Sequence, residues 1–102
     1  MIIVTGSVRA RGETVDEVVA LCLEHVERSR REPGCLLHSV HRDVEDPLRA
    51  VFLEHWADRA SLAAHFSVPA SLEFVTAVSE LAAEPPALDL YEAQPIDIAA
   101  LQ

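Results

Sequence analysis

Residues 32–66, EPGCLLHSVHRDVEDPLRAVFLEHWADRASLAAHF, leave the chain few folds to choose from. Pro33-Gly34 ends any preceding helix, because proline breaks the helical hydrogen-bond pattern and glycine turns readily. Residues 36–44 and 48–56 are β-type runs on either side of Glu45-Asp46-Pro47, which is turn chemistry, so the pair reads as a hairpin. Its register stays open by one residue, and one step moves every side chain to the opposite face. Asp58 then offers an N-cap for a helix with Leu62, His65 and Phe66 on one side.

The flanking segments complete the pattern. Residues 2–10, with Ile2, Ile3, Val4, Thr5 and Val8, read as a strand. Thr14-Val15-Asp16-Glu17 has the form of a capping box, the Thr14 hydroxyl accepting from the Glu17 N–H while Glu17 reaches back. Val15, Val18, Val19, Cys22, Val26 and Ser29 recur at helical spacing, and Arg28, Arg30 and Arg31 suit the negative end of the helix dipole. Ser67-Val68-Pro69 restarts the second helix, with Pro69 in a first turn. Leu72, Val75, Val78 and Ala82 extend its apolar stripe, flanked by Phe74 and Leu81, until Pro85-Pro86 stops it. Residues 87–93, with Leu88, Leu90 and Tyr91, read as the fourth strand. The order β-α-β-β-α-β is ferredoxin-like: an α+β domain over residues 1–94, with a four-stranded antiparallel sheet and its helices on one face. Residues 95–102 form an apolar tail (Ile96, Ile98, Leu101) that is too short to fold alone and is expected to reach a dimer partner.

At 102 residues the chain is one small domain that buries a modest fraction of its surface. A sheet facing water on one side should be polar there, yet both strand parities carry apolar residues: Ile2 and Ile3, Leu36 and Leu37, Phe52 and Leu53. A second copy of the same sheet would cover them, so a homodimer is expected. The formal net charge of −9, with eight arginines and no lysine, argues against a nucleic-acid surface. No apolar run has the length of a membrane span, and MIIVTGSVRAR lacks the form of a signal peptide. With only Cys22 and Cys35 available, a disulfide framework has little to build on, and a cytoplasmic protein is expected.

Phe52, Glu54 and Trp56 alternate on the third strand and therefore share a face. Leu62, His65 and Phe66 lie just beyond the Asp58 cap, and Phe74 follows on the next helical stretch. Together they outline an aromatic-walled pocket with one or two ionisable groups, suited to a small apolar or aromatic ligand. His38 joins it in one hairpin register and not in the other. His65 is the preferred catalytic base, since an imidazole needs little tuning to work near neutral pH; on an apolar stripe it also reads as a hydrogen-bonded core residue. Glu54 is too costly to bury unpaired, so it either pairs with an arginine or a histidine, or orients or replaces His65. No metal is expected: His38 and His41 point to opposite strand faces, and His25 and His55 have no partners close in sequence. There is no phosphate-binding loop or dinucleotide fingerprint.

The segments Pro33-Gly34-Cys35-Leu36, Asp46-Pro47, Glu54-x-Trp56 and Leu62-x-x-His65 resemble the antibiotic biosynthesis monooxygenase family, and the likeness runs from Ile2 to Glu92. The resemblance implies a dimeric α+β barrel with a pocket between sheet and second helical region. It also implies cofactor-independent oxidation of quinols, phenols or polyketide-like anthrones by dioxygen. The family's oxygenases pair a Trp, matched by Trp56, with an Asn, and this chain has no Asn; Phe52 falls at that position. Its haem-degrading branch carries an Asn near the first strand and a later His, where this chain has Thr5-Gly6-Ser7 and Phe74, so haem is not expected. Two other readings stay open on the same scaffold: a non-oxidative isomerase, and a dimer that binds small molecules without turnover.

Overall fold

A computed structural model describes residues 1–102. Four strands, β1 (Ile2–Arg9), β2 (Cys35–Arg42), β3 (Arg49–Trp56) and β4 (Ala87–Glu92), form one antiparallel sheet in the order β2-β3-β1-β4. Helix α1 (Val15–Ser29) connects β1 to β2, while α2 (Arg59–Ser67) and α3 (Pro69–Leu81) connect β3 to β4. This is the ferredoxin-like α+β fold. No single helix is long and apolar enough to cross a membrane. Residues 95–102 lie exposed and close with a single 3-10 turn, Ile98–Leu101.

Alternation decides the faces. Ile2, Val4 and Val8 of β1 and Ala50, Phe52, Glu54 and Trp56 of β3 are buried against the helices. Their neighbours Ile3, Thr5, Val51 and Leu53 occupy the open face and are only half-buried. Strand β4 pairs with β1 alone and no helix covers it; Leu88, Leu90 and Tyr91 stay about half exposed. The hairpin register places His38 opposite Glu54, on the helix side, after a β-bulge at Leu36. That resolves the alternative left open by the sequence.

Two helix starts differ in their chemistry. Asp58 caps α2 as expected, accepting from Ser61 N at 2.8 Å. Thr14 stands at the N-cap of α1, but the capping box does not form. Thr14 is buried, and its hydroxyl donates to Leu81 O at 2.8 Å while accepting from Arg11 N at 3.0 Å. The contact with the C-terminal end of α3 outcompetes the local cap.

Gly34 sets the entry into β2. Its φ of 79° lies where a side chain is strained, and a Cβ there would sit 2.1 Å from Ser61 Oγ on α2. Its carbonyl accepts from Ala57 N at 2.8 Å, tying the start of β2 to the end of β3. Gly34→Ala should therefore cost roughly 2–4 kcal/mol from strain and overlap. Chemical denaturation will read this loss, and adding Ser61→Gly should recover only the overlap part.

Candidate functional site

On the helix side, the sheet carries two apolar clusters. One joins Val8, Ala50 and Phe52 with Val18, Cys22 and Val26 of α1 and Val78 of α3. The other joins Ile2, Val4, Trp56 and Leu62. Glu54 lies on β3 between Phe52 of the first cluster and Trp56 of the second, so a carboxylate interrupts the core. Trp56 Nε1 donates to Glu54 Oε1 at 2.9 Å, and His38 Nε2 lies 3.2 Å from the same oxygen. Burial by itself would raise the Glu54 carboxyl; His38 and the Trp56 N–H outweigh it and hold the group below the ordinary carboxylate value. The pairing expected of Glu54 is therefore with a histidine and the indole.

Three histidines gather around that carboxylate. The ring centroids of His25 and His38 are 5.3 Å apart, those of His25 and His65 5.3 Å, and those of His38 and His65 5.6 Å. All three are buried. His65 Nδ1 donates to Glu32, at 2.9 Å from Oε1 and 3.2 Å from Oε2. A carboxylate only accepts here, so Nδ1 carries a proton, and in the neutral ring the lone pair is on Nε2. His25 stacks on Phe74 with centroids 4.0 Å apart, and its Nδ1 accepts from an Arg28 guanidinium nitrogen at 2.7 Å. His38 is closed off from solvent, and neither of its ring nitrogens has a partner in hydrogen-bond geometry.

A cavity of about 520 Å³ opens beside this group, between the sheet and α3 towards bare β4. Phe52, Glu54, His65, Phe66 and Phe74 line it, as does His25. Gly6 and Ser7 of β1 form part of its floor, and Val75, Val78 and Leu88 give it an apolar wall. The volume suits a small aromatic molecule. Of the residues expected at the pocket, Trp56 and Leu62 are not on its surface: they belong to the core cluster behind it. His38 stands behind Glu54 and touches Trp56 edge to face.

Of the two roles open to Glu54, pairing or orienting His65, the structure gives the pairing: Glu32 holds the His65 ring, and Glu54 is engaged with His38 and Trp56. The sequence reading expected no converging ligand set, but the fold brings His25, His38 and His65 together. A signal for His25 was available. It stands seven residues after Val18 and three after Cys22, on the stripe that α1 buries. Nothing local marks Glu32, whose partner is 33 residues away.

Residues 1–77 match the family described as antibiotic biosynthesis monooxygenase. An uncharacterized protein of Synechocystis sp. is 34% identical over 91 residues, 89% of this chain, and the chain spans 62% of that protein's length. A crystal structure described as an antibiotic biosynthesis monooxygenase is 32% identical with a TM-score of 0.86, covering 93% of this chain and 100% of the other. A candidate antibiotic biosynthesis monooxygenase from Deinococcus radiodurans is 27% identical with a TM-score of 0.91, covering 96% and 98%. A conserved protein of Methanosarcina mazei is also 27% identical, with a TM-score of 0.86 over 91% and 92%.

The buried cluster makes stability sensitive to acid. Burial, then the charges of His38 and His65, push His25 down from 6.5 to about 3. A histidine with a lowered folded value takes up a proton less readily when folded. Its stabilising effect is therefore complete above about 6.5 and is lost as pH falls towards about 3. Between pH 7 and pH 4 this costs roughly 3 kcal/mol. His25→Phe keeps an aromatic ring against Phe74 and removes the titration, so urea unfolding at the two pH values should show a correspondingly smaller loss.

Proposed function

The chain belongs to the antibiotic biosynthesis monooxygenase family, and from that premise we propose that it is a monooxygenase acting on a small phenolic or quinol-like aromatic molecule. The observation that carries the reading is the His65–Glu32 pair at the wall of an apolar cavity. Glu32 fixes the ring and stabilises the imidazolium that forms, while Nε2 removes a phenolic proton. Phe52, Phe66 and Phe74 hold the flat substrate and exclude water. The phenolate is then electron-rich enough to reduce dioxygen itself without a cofactor; one oxygen atom enters the product and the other leaves as water. His65 takes the general-base role and Glu32 positions it. Glu54, Trp56 and His38 support the wall behind, and Leu62 packs below it.

The same base can move a proton on a small carbonyl compound without an oxidant, which keeps an isomerase as the second reading. The family's Asn is missing from this chain, and His65, held by Glu32, takes the place of the polar group it would supply.

We also propose a homodimer in a reducing, cytoplasmic setting. Its support is the half-buried apolar open face, exposed β4, the apolar tail and two free cysteines. Light scattering should give twice the chain mass, with an interface of roughly 2,000 Å² in total. A folded monomer at micromolar concentration would refute the dimer.

Oxygen uptake with a panel of hydroquinones and anthrones tests the activity. Glu32→Gln should lower kcat about 10- to 100-fold with KM little changed, and His65→Ala should lower it further. Turnover without oxygen uptake that still needs His65 supports the isomerase. Full oxygenase activity in both variants removes the base assignment.

A further inference from the structure

We propose that His25, His38 and His65 form a three-imidazole site for a divalent transition-metal ion, with a remaining coordination position open to the cavity. Each histidine offers one nitrogen, and these three atoms all lie within 4.8 Å of one another. Tetrahedral coordination with metal–nitrogen bonds near 2.0–2.1 Å places imidazole centroids about 5 Å apart. The observed separations of 5.3, 5.3 and 5.6 Å already match that spacing. Bringing the nitrogens to the roughly 3.4 Å of such a site then asks for small ring rotations rather than backbone movement.

The surrounding groups fit the same reading. His38 is shut away from water; its Nε2 faces Glu54 Oε1 at 3.2 Å outside hydrogen-bond geometry and its Nδ1 has no partner, so coordination would satisfy one of two poorly served nitrogens. His65 carries a carboxylate on the far side of its ring, the support that metal-bound histidines commonly have. His25 is held by the Phe74 stack. The carboxylates of Glu32 and Glu54 offset the charge of the ion, against the guanidinium of Arg28 on His25 and that of Arg30 on the His38 carbonyl. Loading the site shifts the His25 proton from Nε2 to Nδ1. Arg28 then swings from that nitrogen towards Glu32, already 3.8 Å away, or Ser71. An all-imidazole set favours zinc, cobalt, nickel or copper over magnesium or calcium. Cys22 is no competitor: it lies in the first apolar cluster, its thiol pushed up to about 12 by burial.

The site does not depend on the oxygenase reading. The two use His65 in exclusive states, because an ion on Nε2 takes the lone pair that would accept a proton. Bound metal should therefore inhibit a metal-free oxygenase, and binding can be measured without turnover.

Equilibrium dialysis of the wild-type chain against Zn²⁺ should give one ion per chain, and Co²⁺ should produce the intense visible bands of four-coordinate nitrogen ligation. His38→Gln should weaken binding at least 100-fold, and Glu32→Gln about 10-fold. His41→Gln and His55→Gln, outside the cluster, should change nothing. Absence of a stoichiometric ion, or a six-coordinate cobalt spectrum in the wild type, overturns the site. So does undiminished binding in folded His38→Gln. Should that variant fail to fold, the wild-type cobalt spectrum decides alone.

Discussion

A single carboxylate in the wrong place for a core organises this molecule. Glu54 stands on the central strand β3 with apolar residues on both sides along the same face. A buried, unpaired carboxylate would cost several kcal/mol, so the structure around it must supply partners. Trp56 gives its N–H from the same strand, and His38 comes from the next one. The rest of the cluster follows from those two. Once His38 lies beneath the helices, His25 from α1 and His65 from α2 meet it, and the core divides into two apolar groups with a polar layer between them.

That polar layer is held from outside by chain features that carry no chemistry themselves. Gly34 brings Glu32 round to face α2, so that a residue before the turn reaches a histidine 33 positions later. The Asp58 cap fixes where α2 begins and hence which way His65 points. Pro69 restarts the helix after a bend of 68° between α2 and α3. The bend carries α3 across the sheet and leaves room below it for the cavity. Strand β4, bare on the helix side, supplies the remaining wall through Leu88.

The site thus combines an apolar volume with ionisable groups kept in defined states by their neighbours. The lowered His25, the Glu54 held below its ordinary value and the Glu32–His65 pair each have a named cause in burial or in a partner. A base poised against an apolar chamber suits proton removal from an aromatic substrate. The same histidine geometry suits an ion. Which state the site occupies depends on one lone pair, that of His65 Nε2.

Most of the fold was legible in the sequence, because it rests on local chemistry. Turn residues at Pro33-Gly34, Glu45-Asp46-Pro47 and Pro85-Pro86 divide the chain, and periods of two and 3.6 identify what lies between them. The Asp58 cap and the shared face of Phe52, Glu54 and Trp56 follow from the same short-range rules. Three things did not follow. Thr14 gave up its local cap for a carbonyl on α3, the facing of His38 needed a bulge at Leu36, and Glu32 found His65 across the fold. Each depends on partners distant along the chain, whose meeting is set by packing and register, and no local pattern encodes that meeting. The sequence by itself determined which segments are helix and strand and, outside β2, which strand residues share the inward face. Only the tertiary structure decided which of the inward-facing ionisable groups meet, since that is fixed by how the helices cross the sheet.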